Sequence, residues 1–480
     1  MDKAKMSDQN TPSSSHIPYL PNTGRERAAM LKEIGLGDFE QLIAHIPKEI
    51  RVKDADLALA PGLSELELVG EIGKLAAKNK PTSQQASFIG GGSYRRFVPS
   101  VVPAIVSRSE FATAYTPYQP EVAQGSLQAI YEFQSSICLL TGMDVANASM
   151  YDGPTALAEA ALMASRLTGR KQILVSRAVN PEYKMVTETY ADCIEYPFAQ
   201  VTIQGGKTSP SDLAAKLTDD TACFIVQYHN YFGIVEDIKA LGQIARDKGA
   251  LLIVVTDPIA LGLYTAPGDL GADLVVGDGQ SCGNYLSFGG PSAGYIACRK
   301  DYVRQLPGRL AGMTQDNRGQ RAYTLTLQTR EQHIRRAKAT SNICTNQALN
   351  ALAMLVYFTA MGPSGMKDLA NISLQRAHYL AEKLTAIKGV SLAFDAPYYN
   401  EFVLQLSDGL RADQVLLELQ NRGVLGGIDV SVNFPEMQNA ILVAVTEMNP
   451  VQELDEYAQK LELVVADLTG KSSAKKVLTV

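Results

Sequence analysis

The chain has 480 residues, 46% of them apolar and 20% charged, with a formal net charge of −6. At roughly 150 residues per folding unit, that length excludes a single small domain. No apolar run reaches the ~18 residues of a membrane-crossing helix, and the acidic balance gives no global basic field for nucleic acid.

The six cysteines (Cys138, Cys193, Cys223, Cys282, Cys298 and Cys344) are widely spaced without a CxxC pair. The five histidines form no HxxxH or HExxH cluster. The chain therefore reads as a cytoplasmic protein with reduced thiols and no metal site.

Residues 1–16 are polar and are expected to be a disordered leader or an expression remnant. Residues 17–85 read as a helical extension. It holds Glu26–Ile34 stopped by Gly35, Asp38–Ile46 stopped by Pro47, and Leu63–Leu75. From Asn79 to Pro120 the chain turns rich in Gly, Ser, Pro and Tyr, and a loop of that length inside a domain is commonly functional.

Helix and strand then alternate through a large domain, 86–330. Helices are predicted at Gly125–Leu140, Thr155–Leu167 and Asp237–Lys248. Strands are predicted at Ile173–Val175, Cys223–Val226, Leu251–Val255, Leu274–Val276 and Tyr295–Ala297. Short, two-sidedly apolar strands between amphipathic helices imply an α/β fold with a mostly parallel sheet. A polar, helix-prone connection through 328–336 leads into a smaller α+β domain, 331–468. Its predicted helices are Asn346–Tyr357, Leu369–Leu384 and Ala412–Gln420, and its strands Val403–Leu406 and Ala440–Val445. Residues 469–480 read as a flexible basic tail.

Asp257 follows the strongest strand and would project from its carboxyl end. A carboxylate there can pair with a protonated ring nitrogen, as pyridoxal phosphate enzymes require, or simply open the Asp257-Pro258 turn. Such enzymes also need a lysine for covalent attachment, and none lies between Lys248 and Lys300. His229, just beyond the strand Cys223–Val226, is placed either to stack on a ring or to serve structure.

Several stretches resemble one family closely. They are Phe88-Ile89-Gly90-Gly91-Gly92-Ser93-Tyr94, the segment from Tyr115-Thr116-Pro117-Tyr118 to Gly125, Asn147-Ala148-Ser149-Met150-Tyr151-Asp152-Gly153, the segment Leu327–Arg335, and Ser341-Asn342-Ile343-Cys344-Thr345. On these the chain is similar, from Ile17 to about Leu468, to glycine dehydrogenase (decarboxylating) subunit 1, the alpha subunit of the two-subunit P-protein of the glycine cleavage system.

The resemblance implies a fold type I pyridoxal-phosphate-dependent transferase (aspartate aminotransferase-like) large domain. It also implies a partner, glycine dehydrogenase subunit 2 (beta), that binds pyridoxal 5'-phosphate covalently in an alpha2beta2 heterotetramer. Together they would decarboxylate glycine, release CO2 and pass the aminomethyl group to the lipoyl arm of H-protein. Counting back from the Gly289-Gly290-Pro291 turn by the family's spacing lands on Gln280, whose amide is no nucleophilic amine.

Where the catalytic subunit has small residues cradling phosphate, this chain has Asp152-Gly153-Pro154-Thr155. Asp152 would repel the dianion and Pro154 has no N–H. Asp152, His229, Asp257 and Gln280 thus form an expected vestigial cofactor pocket with no catalytic residue. Ser93, Tyr94, Tyr115 and Tyr118 are candidates to complete the partner's site, or merely to pack an interface. The basic stretch Arg330, His333, Arg335, Arg336 and Lys338 is either a solvated face or a dock for an acidic partner such as H-protein. Two rivals remain: a purely structural or regulatory subunit, and a self-sufficient pyridoxal enzyme using an unidentified lysine.

Overall fold

The computed structural model describes residues 22–52, 60, 62–340, 343, 345–407 and 409–470. The expected leader and the tail beyond Gly470 lie outside the described residues, as do Ser341, Asn342 and Cys344. Two compact units result, one through Asn79 and one from Lys80 onward.

In the first unit, helix α1 (Gly24–Glu33) begins with a reciprocal cap. The Thr23 side chain accepts from the Glu26 N–H while the Glu26 carboxylate accepts from the Thr23 N–H. Helix α2 (Glu65–Ala76) starts the same way on Ser64 and Glu67. The helix expected over Asp38–Ile46 shrinks to Phe39–Leu42. Arg51 accounts for its early end, donating to the carbonyls of Ile43 (2.8 Å) and Ile46 (2.6 Å), which a longer helix would have turned along its own axis. No residue of these helices is buried, and Met30, Phe39, Leu66, Val69 and Ile72 are exposed.

The second unit is built on a seven-stranded sheet. Its strands are β1 (Val145–Ala146), β2 (Gln172–Ser176), β3 (Phe198–Val201), β4 (Thr221–Gln227), β5 (Leu251–Val255), β6 (Leu274–Asp278) and β7 (Gly294–Cys298). Their spatial order is β1-β7-β6-β5-β4-β2-β3. β7 runs antiparallel to both neighbours and the remaining pairs are parallel. Along β5, Leu252 and Val254 enter one apolar core while Ile253 and Val255 enter the other, so both sheet faces are covered.

Helices α3 (Gln124–Thr141) and α6 (Ile238–Arg246) supply Phe133, Ile137, Ile238 and Leu241 to the first core. Helix α4 (Gly153–Thr168) supplies an alanine-rich face with Leu157 to the second, and packs on α5 (Pro181–Asp192), which the sequence reading did not anticipate. Burying each of these large side chains contributes about 1.5–3 kcal/mol. α3 ends at Gly142, whose φ of 68° is the left-handed conformation that closes a helix cheaply only on glycine.

The two helices expected at Asn346–Tyr357 and Leu369–Leu384 run together as α7 (Ala348–Thr385), kinked at Gly362-Pro363, where proline removes a backbone donor. A hairpin, Leu310–Gln315 with Arg321–Thr326, was also unanticipated. The helix-prone connection after it forms only short turns, because Leu327 (φ 54°) and Arg336 (φ 53°) leave helical geometry. A four-stranded antiparallel sheet follows. It comprises β8 (Val390–Leu392), β9 (Glu401–Leu406), β10 (Ile428–Asp429) and β11 (Ala440–Ala444), with α8 (Ala412–Asn421) and α9 (Val451–Leu468) packed on it. Ala86–Ser87 pairs with Val424–Leu425, and in the glycine loop that follows Gly91 hydrogen-bonds with both Glu401 and Asn180.

Candidate functional site

The parallel strands deliver their carboxyl ends to one crevice, the usual ligand position in open α/β sheets. Asp278 closes β6 with Gln280 two residues beyond; Asp257 lies two past β5 and His229 two past β4; Asp152 caps α4. The four residues of the expected vestigial pocket therefore do lie at the ends of neighbouring elements.

The start of α4 is already occupied. Gly153 N–H donates to Asp278 Oδ2 at 2.8 Å and Thr155 N–H donates to Asp152 Oδ1 at 2.7 Å, while Pro154 has nothing to donate. Asp278 is held further by Ser292 Oγ (2.7 Å) and by the Gln280 N–H (2.8 Å). Burial pushes the Asp278 carboxyl above the usual carboxylate range, against those hydrogen bonds. Asp152 therefore acts chiefly as a cap, and the group standing against the helix terminus is Asp278, which sequence reasoning missed. An aspartate ending a strand two residues before Gln280 was the available signal. A Cβ on Gly153 would lie 1.9 Å from Tyr183 Oη, so the helix start is packed as tightly as the chain allows.

Gln280 closes the crevice from the other side. Its Oε1 accepts the Tyr94 N–H at 2.7 Å, and its Nε2 donates to the Tyr94 carbonyl at 3.0 Å and to that of Asn284 at 3.3 Å. Tyr94 is only 4% exposed, and its hydroxyl donates to Glu401 Oε2 at 2.8 Å; Glu401 Oε1 accepts the Gly91 N–H at 2.7 Å. Burial raises the Glu401 carboxyl to about 7.

Asp257 accepts Ser281 Oγ at 2.6 Å and the Ile259 N–H at 3.0 Å. Its other oxygen faces Arg96 Nη2 at 4.0 Å. Arg96 is buried, and donates to Glu447 Oε2 (2.6 Å) and Ser373 Oγ (2.8 Å). Burial opposes its charge, but Glu447, Tyr399 and Asp257 more than compensate, and its pKa is raised. His229 is buried edge-on to Tyr399, 5.6 Å between ring centroids. Burial lowers its pKa against the pull of Asp257, so it is neutral. Between Tyr94, Asn180, Tyr183, His229, Asp257 and Asp278 about 30 Å³ remains, room for about one water. These residues do not fit pyridoxal phosphate: the phosphate position carries a carboxylate, and ligand pockets ordinarily offer about 300–1,000 Å³.

The other candidates lie elsewhere. Ser93 is exposed beside the buried Tyr94, Tyr115 is 81% exposed and Tyr118 is 45% exposed. Tyr115 borders an apolar cleft of about 270 Å³ walled by Phe111, Pro117, Phe133, Leu352 and a single cation, Arg309. Arg309 Nη2 donates to the Tyr118 hydroxyl at 3.2 Å and its guanidinium stacks over that ring. His333 packs edge-on against Tyr118 and stands 3.6 Å from Glu331, so it joins this cluster; Arg330, Arg335 and Lys338 line a different cleft.

Residues 17–461 match the family described as Glycine cleavage system P-protein. Relatives include a probable glycine dehydrogenase (decarboxylating) subunit 1 of Desulfitobacterium hafniense, 46% identical over 91% of this chain and 97% of that protein. The protein of the same description from Chlorobaculum parvum is 48% identical over 93% and 99%. Among solved structures, a glycine decarboxylase (P-protein) of the glycine cleavage system in inhibitor-bound form superposes with a TM-score of 0.86 at 42% identity, covering 93% of this chain and 99% of the other. A sphingosine-1-phosphate lyase of Burkholderia pseudomallei shares the fold at 14% identity, with a TM-score of 0.63 over 88% and 94%.

Proposed function

The chain belongs to the glycine cleavage system P-protein family, and from that premise we propose that it is the cofactor-free alpha subunit of a glycine decarboxylase. Its architecture is that of the fold type I pyridoxal-phosphate-dependent transferases. In this reading a beta subunit carries pyridoxal phosphate, the group that accepts electron density as glycine loses its carboxyl as CO2. The aminomethyl group then passes to the lipoyl arm of H-protein, in an alpha2beta2 assembly in a prokaryotic cytoplasm.

One observation carries the division of labour: the Asp278 carboxylate accepts the first amide of α4, where a cofactor phosphate would have to sit. The lysine position holding Gln280 supports the same conclusion, since its amide is committed to the Tyr94 backbone. The role left to this chain is to supply surface. Tyr115 and Tyr118 stand exposed around the Arg309 cleft and are the residues best able to reach a partner's site. Ser93 offers a hydroxyl at the crevice rim, while Tyr94 acts from inside by fixing the loop that presents it.

The test is glycine-dependent CO2 release by the assembled complex with H-protein, using Tyr115→Phe, Tyr115→Ala and Tyr118→Ala chains. Turnover should fall at least ten-fold in one or more variants while the complex still assembles. Unchanged turnover in all three would leave the chain a structural subunit without a residue in the shared site. A visible cofactor band trapped by borohydride on this chain alone would instead make it an enzyme in its own right.

A further inference from the structure

A cleft of about 610 Å³ opens between the last turn of α4, the turn Lys300–Gln305 and the segment Leu327–Thr340. Arg166, Arg304, Arg330, Arg335 and Lys338 line it, and among the described residues no carboxylate does. Among the described residues none of the five takes part in an ion pair. Two acids act on the cluster from outside the lining: Glu159, buried within α4, attracts Arg166, and Glu331, 3.6 Å from both Arg309 and His333, attracts Arg330.

Arg330 carries the argument furthest. One terminal nitrogen donates to the Leu306 carbonyl, while Nε and Nη2 are shut away from solvent with no acceptor. Leaving buried charged donors unmatched is costly. Arg335 commits only Nε, to the Thr329 carbonyl at 3.1 Å, and the segment is held in its curve by the strained backbone of Leu327 and Arg336. Arginines from separate segments thus line one cleft, and their forked donors suit a tetrahedral oxyanion.

We infer that this cleft binds a phosphate-class dianion carried by a small molecule. A flat acidic protein surface fits less well, because the cations are spread around a concave cleft and not over a flat face. The inference does not depend on the glycine decarboxylase reading.

The test is calorimetric titration of the full-length chain, at low ionic strength, with inorganic phosphate and separately with O-phosphoserine. One saturable site per chain is expected, weakened at least ten-fold in the Arg335→Ala/Lys338→Ala double variant, whose positions are both exposed. Tighter binding of O-phosphoserine identifies an organic phosphate as the ligand; equal binding identifies the phosphate group itself. Lys338→Gln, with an unchanged unfolding midpoint, should show a smaller loss and so separate charge from folding. Absence of saturable phosphate binding, equal affinity in the double variant, or binding of a poly-glutamate peptide without phosphate binding overturns the inference.

Discussion

Replacing Gln280 by lysine places an amine where the family resemblance puts the cofactor lysine, yet the contacts around it predict no cofactor binding. The glutamine side chain makes three hydrogen bonds, two of them with the Tyr94 backbone. Lysine can donate but cannot accept, so the Tyr94 N–H is left unsatisfied in a buried place, costing about 1–3 kcal/mol. Even with the amine in place, about 30 Å³ is free and the Asp278 carboxylate holds the α4 amide. A phosphate dianion would have to displace that carboxylate and bury beside it, a like-charge contact worth several kcal/mol against binding. Gln280→Lys should therefore lower the urea midpoint and show no visible cofactor band. After borohydride, peptide mapping should find no specific adduct at position 280. Adding Asp278→Ser should be required before any adduct appears. A stoichiometric adduct at position 280 in the single variant would refute the reasoning, because it would show the crevice opening without loss of the Asp278 contact.

The buried Glu401 predicts a pH dependence. Its carboxyl is raised from 4.5 to about 7, so the folded chain holds the proton more tightly than the unfolded one. The resulting stability is complete below about pH 4.5 and is lost as pH rises through about 7, in total on the order of 3 kcal/mol. Glu401→Gln keeps an acceptor for Gly91 and should gain on the wild type between pH 5 and pH 8 in chemical unfolding; a pH-independent difference would contradict this. Glu159, raised to about 7 by burial, titrates alike in both proteins and cancels. In the first unit, α1 and α2 bury no residue, and isolated helices of their length are marginal in water. Their amides should exchange rapidly in the chain alone and become protected when the partner subunit is added; slow exchange in the chain alone would show a core of their own. Tyr94→Phe should act on stability, leaving an unmatched Glu401 oxygen at about 1–3 kcal/mol; a large turnover loss at unchanged stability would place Tyr94 in the chemistry instead.

Elements with strong local patterns were legible from sequence. β5 is five consecutive apolar residues and α6 repeats Ile238, Leu241 and Ala245 on one face. β1, two residues long, and β3, a half-exposed edge with Gln200, carry no comparable signal. Their pairing is dictated by neighbours distant in sequence, β1 by β7 and β3 by β2. The site divides the same way. Asp257 and His229 were visible because each follows a strand, a local fact. The Asp278 contact to Gly153 spans 125 residues, and Arg96 meets Glu447 across 351. Such pairs leave no periodicity and emerge only when the fold brings the segments together. Tyr94 looked like its neighbours Tyr115 and Tyr118 in composition, but Glu401 on β9 draws it inward while the other two remain outside.

On the proposed reading, these long-range contacts explain how a cofactor fold could stand without its cofactor. Pyridoxal phosphate brings an anion to a helix N-terminus and a ring cation to a carboxylate. In this chain Asp278 supplies the anion at α4, and the Arg96 guanidinium supplies the cation facing Asp257. The polarity of the crevice is thus preserved by side chains, with Asp257 Oδ2 and Arg96 Nη2 facing each other at 4.0 Å without a hydrogen bond. Removing one partner of such a buried pair typically costs about 3–5 kcal/mol. Binding the cofactor would have to break both internal pairings before gaining its own, so the missing lysine is one barrier among several. These pairings would keep the sheet and the exposed tyrosine loops in place regardless of cofactor supply, as the proposed role of a supporting subunit requires.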